Sequence, residues 1–280
     1  MRRRPVKALV EGARHVRYWS GWRCRRRLMV FGVGVGKSGT HSLTEMLVGS
    51  YRADHEPDHG QLIRMAIDRE AGRLSDEAVR GALRRRVDRL GLEADVSTMN
   101  TEFAADFAAM YPEAKFVMLI RDAYTWLDSA CNQKLARPAA GAWKLWRRNQ
   151  YGGAVAPADG PEAGLASRGL PPARLMLRQW AQRYRALEAG LSPERRLVVK
   201  TFELRDSAER LAAYLGIDAS TIRVEASHAY RSKKRAGLIA EMDPGYVDAL
   251  VAEEAGDVMA RWYPEVTSVR ETALHGGAGG

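Results

Sequence analysis

The chain has 280 residues, of which 46% are hydrophobic and 28% charged, a balance that excludes disordered, collagen-like and polytopic membrane proteins. No apolar run approaches the ~18 residues needed to cross a bilayer, and no signal-peptide core follows the basic start at Met1–Arg4. Two cysteines, Cys24 and Cys131, are too few for a disulfide framework, so the sequence predicts a cytoplasmic protein of one large or two small domains.

The positive charge is concentrated at the start of the chain. The net charge is +10, and residues 1–27 contain ten basic residues and one acid, which gives this segment a net charge of +9. The rest of the chain is close to neutral, so nucleic-acid binding is not expected. Trp19 and Trp22 among the basic residues predict an amphipathic arm that binds an anionic membrane surface, at the inner face of the membrane. A solvated basic helix packed on the domain is the alternative.

Apolar runs typical of buried strands alternate with helical patterns through the body of the chain. Strands are predicted at 28–33, 51–55, 94–97, 115–120 and 197–202, and helices at 38–49, 61–91, 101–110, 123–135 and 203–215. This alternation predicts one three-layer α/β domain, 28–265, with helices on both faces of a parallel central sheet. The glycine- and proline-rich segment 152–172 predicts an irregular, lid-like loop, and 266–280 is expected to be a flexible tail.

The first strand leads into a glycine-rich turn that opens a helix, VFGVGVGKSGTHSL at 30–43. Glycines allow backbone N–H groups to surround an anion, and the start of the helix adds the positive end of its dipole. Lys37 supplies a full positive charge, and Ser38, Thr40 and Ser42 supply hydroxyl groups. The segment therefore predicts a P-loop-like phosphate-binding turn.

Two common phosphate motifs compete for this turn. The nucleoside-triphosphatase motif requires a glycine where the chain has Phe31, and no clean apolar strand ends in an aspartate for magnesium. The dinucleotide motif G-x-G-x-x-G is present at Gly34, Gly36 and Gly39, and Asp54 follows about 20 residues after it begins. A lysine in that second motif is unusual, because there the backbone holds the pyrophosphate.

The turn closely resembles that of the sulfotransferases, and GVGKSGTHSLTEML at 34–47 is most similar to the heparan sulfate glucosaminyl 3-O-sulfotransferases. These enzymes bind 3′-phosphoadenosine 5′-phosphosulfate (PAPS). The resemblance implies that the 5′-phosphosulfate contacts seven consecutive residues: Gly36, Lys37, Ser38, Gly39, Thr40, His41 and Ser42.

A second motif lies at the end of the fourth predicted strand. The sequence KFVMLIRD at 115–122 ends in Arg121 and Asp122, and Ser129 follows on the next helix. A guanidinium at the carboxyl end of a strand faces the ligand crevice and binds phosphate through two hydrogen bonds. The resemblance to sulfotransferases implies that Arg121 and Ser129 hold the 3′-phosphate of PAPS. An ion pair between Arg121 and Asp122, with a surface serine, is the alternative.

The second predicted strand ends in the polar sequence ADHEPDH at 53–59. Sulfuryl transfer to an alcohol needs a base beside the attacking hydroxyl. In the register of the 3-O-sulfotransferases, Glu56 falls at the catalytic glutamate. His55 is the rival base, since histidine has this role in the cytosolic sulfotransferases and its ordinary pKa needs less adjustment. The segment has no standard metal-ligand spacing, so no metal is predicted.

A late basic cluster, HAYRSKKRAG at 228–237, resembles the loop with which sulfotransferases close over the nucleotide. The resemblance implies contacts from Lys234 and Arg235, and a solvated run of charges is the alternative. Trp143, Trp146 and Tyr151 are candidates for a wall of the acceptor pocket, or they form an ordinary helix face.

These motifs together predict a PAPS-dependent sulfotransferase. Glu56 removes the proton of an acceptor hydroxyl, whose oxygen attacks sulfur in line, and Lys37 stabilises the charge on the leaving bisphosphate. The acceptor is expected to be a small molecule, a glycan or a lipid-linked compound, and His41 disfavours a polyanion. The alternatives are a P-loop small-molecule kinase that uses ATP, and a membrane- or nucleic-acid-associated binding protein with an inactive phosphate cradle.

Overall fold

The computed structural model describes residues 25–228 and 236–274. Five strands are found in these residues: β1 (Val30–Val33), β2 (Ala53–His55), β3 (Ala94–Val96), β4 (Lys115–Ile120) and β5 (Arg196–Lys200). They form one sheet in the order β2-β3-β1-β4-β5, and every pairing is parallel. The predicted parallel sheet is therefore confirmed.

Ten α-helices surround the sheet in the part of the chain that the structure describes. They are α1 (Thr40–Leu47), α2 (His59–Glu70), α3 (Asp76–Leu90), α4 (Ala104–Met110), α5 (Ala123–Ala136), α6 (Ala142–Tyr151), α7 (Ala163–Ala166), α8 (Ala173–Gly190), α9 (Ala208–Leu215) and α10 (Pro244–Trp262). None of these described helices is long and apolar enough to span a membrane.

Two separate apolar clusters cover the two faces of the sheet. Along β4, Phe116, Met118 and Ile120 belong to one cluster, and Val117 and Leu119 belong to the other. The first cluster includes side chains of α2, α3, α5, α8 and α10, and the second includes those of α1 and α9. Because successive side chains of a strand point to opposite faces, a strand that is apolar throughout requires helices on both sides. The three-layer α/β architecture is confirmed.

Element boundaries near the phosphate-binding turn differ from the predicted ones. The helix predicted from residue 38 begins at Thr40, because Lys37 and Gly39 have φ angles of 77° and 108°, outside the helical region. The strand predicted to residue 202 ends at Lys200, where a 3-10 turn, Thr201–Glu203, follows. Both differences place irregular backbone at the same edge of the sheet.

The segment 152–172 packs against the helices. Leu165 and Leu170 are buried in the larger apolar cluster. The carboxylate of Glu162 accepts hydrogen bonds from the Ala173 N–H at 3.1 Å and from the Tyr246 hydroxyl at 2.8 Å. The segment is thus attached to both α8 and α10, and its role as a lid stays a prediction.

Residues 266–274, predicted as the beginning of a flexible tail, also pack on the domain. Val269 is buried, and the Ser268 hydroxyl donates to the Asp248 carboxylate on α10 at 2.7 Å. The folded domain therefore extends at least to residue 274, beyond the predicted boundary at 265. Residues 275–280 lie outside the described part of the chain.

The chain enters the sheet through Arg27, at the edge where the strands begin. Arg27 Nε lies 2.8 Å from Glu93 Oε1, and Arg27 Nη2 donates to the Ser50 carbonyl at 2.7 Å. Burial raises the pKa of Glu93, but hydrogen bonds from Arg27 and Arg52 lower it to about 2. Of the predicted amphipathic arm, only residues 25–27 lie within the described residues.

Arg86 and Asp95 form an ion pair inside the domain, with Arg86 Nη1 2.5 Å from Asp95 Oδ2. Arg86 Nη2 donates to the Pro57 carbonyl at 2.7 Å, and Asn100 Nδ2 donates to Asp95 Oδ1 at 3.0 Å. One buried polar network therefore joins α3, β3 and the turn after β2. Removing one member of such a pair leaves a buried charge without its counter-ion, which is strongly destabilising.

We expect Arg86→Met to lower the free energy of unfolding by about 3–5 kcal/mol, because it leaves the buried Asp95 carboxylate without its partner. Arg89→Met is the matched control, since Arg89 lies on the same helix, is exposed and pairs with Asp58 at the surface. Its loss should cost less than about 1 kcal/mol. Urea denaturation followed by circular dichroism measures both values, and equal losses would contradict the assignment.

Candidate functional site

The glycine-rich turn between β1 and α1 lies at the carboxyl edge of the sheet, beside its central strand. β1 is flanked by β3 and β4, and the chain completes β2 and β3 on one side before it adds β4 and β5 on the other. Ligands of parallel α/β sheets bind at the carboxyl ends of the strands, where the connections diverge in this way. The predicted phosphate-binding residues therefore lie where the fold favours a ligand.

The backbone of the turn depends on three residues with left-handed φ angles, namely Gly34 (137°), Lys37 (77°) and Gly39 (108°). At Gly34 a side chain is excluded, because its Cβ would lie 2.3 Å from the Leu119 carbonyl oxygen on β4. Lys37 has a left-handed φ although it is not glycine. Strained backbone conformations of this kind are concentrated at ligand-binding sites.

Side chains from three other elements bond to the backbone of the turn. The bonds join Thr101 Oγ1 to Gly34 N at 2.9 Å, Trp126 Nε1 to Gly36 O at 2.9 Å, and Thr201 Oγ1 to Ser38 O at 2.7 Å. These contacts come from the chain after β3, from α5 and from the chain after β5. The conformation of the turn is thus fixed by side chains from the segments that follow β3, β4 and β5.

The three hydroxyl groups predicted to bind phosphate are buried, and two of them form hydrogen bonds within the protein. Ser38 donates to the Val35 carbonyl at 2.7 Å, and the Thr40 hydroxyl lies 3.2 Å from His55 Nε2. Ser42 is also buried. Ser38 must exchange its bond within the turn in order to donate to a phosphate oxygen.

Lys37 and Arg121 follow the adjacent strands β1 and β4 at the carboxyl edge of the sheet. The pKa of Lys37 is lowered by burial and by the positive charges of Arg121 and Arg137. Arg121 Nε donates to the Thr125 hydroxyl at 2.9 Å, while Asp122 caps α5 by accepting from the Thr125 N–H at 2.8 Å.

Ser129 lies on α5, which begins directly after Arg121 and Asp122, and is largely buried. One turn further along α5, the Asn132 side-chain oxygen accepts from the Ala236 N–H at 2.6 Å. Lys234 and Arg235 lie outside the described residues. Ala236, which directly follows them in the sequence, is therefore bonded to the same helix that carries Ser129.

Glu56 follows β2 directly and has a left-handed φ of 57°. Its Oε2 accepts from the Ser97 hydroxyl at 2.5 Å, and its Oε1 accepts from the Thr98 N–H at 2.9 Å and from the Thr98 hydroxyl at 2.7 Å. Thr98 begins a 3-10 helix, Thr98–Phe103, in which the Thr101 hydroxyl lies 2.9 Å from Gly34 N, so one short segment joins Glu56 to the phosphate-binding turn. Burial raises the pKa of Glu56, although these hydrogen bonds act in the opposite direction.

His55 lies beside both the turn and Glu56. Its Nε2 is 3.2 Å from the Thr40 hydroxyl and 4.0 Å from Glu56 Oε1, and its ring packs edge-on against His41 at 5.0 Å. Burial and the neighbouring His41 lower the pKa of His55 to about 4. His55 is therefore neutral at neutral pH and is a weaker base than an ordinary histidine.

The aromatic residues predicted to line an acceptor pocket separate into two groups. Trp143 stacks on His59 with ring centroids 5.4 Å apart, and His59 Nδ1 lies 3.3 Å from the Glu56 carbonyl oxygen. Trp146 and Tyr151 are buried in the larger apolar cluster, as expected for an ordinary helix face. Of the three, Trp143 is therefore the one that stacks on a neighbour of Glu56.

The structure brings together residues that the sequence analysis singled out and residues that it missed. Lys37, Arg121, His55 and Glu56 meet at one edge of the sheet. The missed residues are Ser97, Thr98 and Arg137. Ser97 and Thr98 follow β3 directly, so the rule that strand ends converge at a ligand site could have found them. Arg137 directly follows the last residue of α5, and no sequence pattern marks it as a site residue.

We expect Gly34→Ala to lower the free energy of unfolding by about 2–4 kcal/mol, because the new Cβ collides with a backbone carbonyl and requires a left-handed φ. Gly36→Ala is the matched control, since its nearest neighbour would be the Thr98 methyl group at 3.8 Å. That variant should change stability by less than about 1 kcal/mol. Urea denaturation without ligand measures both, and a common midpoint would count against this geometry.

The low pKa of His55 predicts a pH dependence of stability. Its folded value of about 4 lies below the ordinary 6.5, so the unfolded chain takes up the proton first as the pH falls. The contribution of neutral His55 is complete above pH 6.5 and is lost between pH 6.5 and 4. We expect His55→Gln to have a flatter stability curve across this window, measured by denaturation at several pH values. Parallel curves for the variant and the wild type would contradict the assignment.

Comparison with known proteins extends these observations. A family model described as a sulfotransferase domain matches residues 29–224. A sulfotransferase from Alicyclobacillus acidocaldarius is 16% identical, with a TM-score of 0.48 and coverage of 84% of this chain and 95% of that one. Sulfotransferase STF9 from Mycobacterium avium is 13% identical, with a TM-score of 0.48 and coverage of 92% and 81%. A sulfotransferase domain from the Synechococcus PCC 7002 olefin synthase is 15% identical, with a TM-score of 0.38 and coverage of 82% and 87%.

No curated protein matches this sequence. A closer similarity to the heparan sulfate 3-O-sulfotransferases than to other sulfotransferases stays a prediction. The family match includes the whole sheet, the phosphate-binding turn, Glu56 and Arg121, and it spans more than half of the chain. The chain therefore belongs to the sulfotransferase domain family.

Proposed function

We propose that this protein transfers the sulfuryl group of PAPS to a hydroxyl group of an acceptor. The observation that carries the proposal is that Lys37 and Arg121 follow the adjacent strands β1 and β4 at the same edge of the sheet, where the positive charge of Arg121 acts on Lys37. Two buried or half-buried cations repel one another, and an anion with two separate phosphate groups relieves this repulsion.

The described residues fit such a ligand. Gly36 has no side chain that would fill the space next to Thr98, and the strained backbone at Lys37 and Gly39 forms a concave turn before the helix. Gly36 to Ser42 would hold the 5′-phosphosulfate, including Lys37, Ser38, Gly39, Thr40 and His41. Arg121 and Ser129 would hold the 3′-phosphate, with Lys234 and Arg235 closing over it from the segment that is anchored at Asn132.

Glu56 is the base in this proposal. It lies beside the turn through its contact with Thr98, and burial raises its pKa, which makes it a stronger base than an exposed carboxylate. His55 is the rival, but its pKa of about 4 leaves it little affinity for a proton. Glu56 would remove the proton of the acceptor hydroxyl, and Lys37 would stabilise the charge that develops on the leaving phosphate oxygen.

The acceptor is proposed to be a small molecule, a glycan or a lipid-linked compound. His55 lies 4.0 Å from the Glu56 carboxylate and packs on His41, and His59, which contacts the Glu56 carbonyl, stacks on Trp143. A neutral His55 and an aromatic face suit an uncharged part of an acceptor better than a chain of sulfates. We also propose a cytoplasmic location for the enzyme.

Nucleotide binding tests the two phosphate sites separately. We expect Lys37→Ala to weaken binding of both adenosine 3′,5′-bisphosphate and adenosine 5′-phosphate by about 10- to 100-fold, since both carry a 5′-phosphate. Arg121→Ala should weaken only the bisphosphate by a similar factor. Isothermal titration calorimetry measures these affinities, and Arg73→Ala, which changes an exposed residue in the turn after α2, is the control.

An Arg121→Ala protein that keeps the wild-type preference for the bisphosphate would contradict the second phosphate site. Binding of ATP with magnesium, without binding of the bisphosphate, would instead favour the small-molecule kinase.

A further inference from the structure

The carboxylate of Glu56 is almost saturated with hydrogen-bond donors. Oε1 accepts two bonds from Thr98, and Oε2 accepts one from Ser97. A carboxylate oxygen has two lone pairs, so Oε1 is fully occupied and Oε2 keeps one acceptor position with respect to the described residues. The Glu56 side chain is 14% exposed, so it is not sealed inside the protein.

The direction of these bonds is set by the neighbouring groups. The Ser97 hydroxyl oxygen itself accepts from the Met99 N–H at 3.0 Å, which leaves its proton for Glu56. The Thr98 N–H is able only to donate, and the Thr98 hydroxyl donates from the same residue. All three donors favour the ionised carboxylate, which accepts, over the neutral acid, which has to donate.

We propose that Ser97 and Thr98 are positioning residues for Glu56: they hold its carboxylate ionised, with Oε2 as the atom that removes the proton of the acceptor. This inference rests on the proposed role of Glu56 as the base. Thr98 belongs to the same 3-10 helix as Thr101, which bonds to the turn at Gly34 N. The distance between the base and the sulfuryl-binding turn is therefore held by one short helix.

The resulting step conserves atoms and charge. The acceptor O–H bond breaks, and its proton moves to Glu56 Oε2 while the acceptor oxygen forms a bond to sulfur. The bond between sulfur and the 5′-phosphate oxygen breaks, and the electron pair leaves with the bisphosphate. The donors that stabilise the Glu56 anion lower the pH above which its carboxylate is ionised and able to accept a proton. They also reduce its affinity for that proton.

Other charged and titratable groups near Glu56 act more weakly. His55 Nε2 is 4.0 Å from Oε1, beyond hydrogen-bond distance, and His59 contacts only the backbone carbonyl of Glu56. The Arg86–Asp95 pair reaches the Pro57 carbonyl rather than the carboxylate. Burial raises the pKa of Glu56, and Ser97 and Thr98 oppose it more strongly than the charge of His59 does. Ser97 and Thr98 are therefore the groups that most strongly oppose the effect of burial on the protonation of Glu56.

The protonation of Glu56 is measured directly by carbon-13 NMR of labelled glutamate side chains in the full-length protein. The resonance of Glu56 is the one that disappears in Glu56→Gln. We expect Thr98→Val and Ser97→Ala each to raise its titration midpoint by about one pH unit, because each loses a hydrogen bond to the ionised form. Thr98→Val keeps the N–H donor and the branched shape of the side chain, so the fold of the site is retained.

Thr221→Val is the matched control, because its hydroxyl bonds to Tyr51 at the opposite edge of the sheet. It should leave the midpoint unchanged. Slow hydrolysis of PAPS by water, followed as bisphosphate release, gives a second readout. In Thr98→Val the acidic limb of its pH profile should move up with the midpoint, while KM for PAPS stays constant.

Two results would overturn different parts of this scheme. Midpoints equal to wild type in both Ser97→Ala and Thr98→Val would show that the hydroxyl groups do not set the protonation of Glu56. A Glu56→Gln protein that still releases bisphosphate at the wild-type rate would instead remove Glu56 as the base. Loss of nucleotide binding in Lys37→Ala tests the proposed cofactor site independently of both.

Discussion

The hydrogen bonds of Thr98 and Thr101 link the phosphate-binding turn to Glu56, and the arrangement of the site depends on them. Thr101 bonds to the backbone of Gly34 at the beginning of the turn, and Thr98 bonds to Glu56. Both threonines belong to one 3-10 helix, Thr98–Phe103, which starts where β3 ends. A single short segment therefore sets how far Glu56 lies from the backbone of the glycine-rich turn.

This link is precise because β1 and β3 are adjacent strands. Gly32 on β1 is paired with Val96 on β3, and a Cβ at Gly32 would lie 2.5 Å from Val96 Cγ1. A glycine is required at that point for the strands to pair so closely, and it fixes the register that delivers Ser97 and Thr98 to Glu56. The buried Arg86–Asp95 pair supports the same strand from the side.

The sequence predicted the sheet, and it singled out Lys37, His55, Glu56 and Arg121, which the fold brings to one edge of that sheet, because these signals are local. An apolar strand, a glycine-rich turn and a strand that ends in Arg121 are each recognisable from neighbouring residues. The contributions of Ser97, Thr98 and Arg137 were missed, since they depend on which strands become neighbours. The low pKa of His55 likewise comes from burial and from His41, which a linear reading cannot supply.

The bond network at Arg27 has a geometric consequence for the basic arm. Arg27 is bonded to Glu93 and Ser50 where the strands begin, whereas the glycine-rich turn lies where they end. Strands of three to six residues separate the two edges by about 10–20 Å. A bilayer bound near Arg25 would thus lie at the edge where the strands begin. The opposite edge, with Glu56 and the glycine-rich turn, would face the aqueous phase. Acceptors dissolved in the aqueous phase would reach Glu56 directly, whereas the headgroup of a membrane lipid would have to extend around the domain.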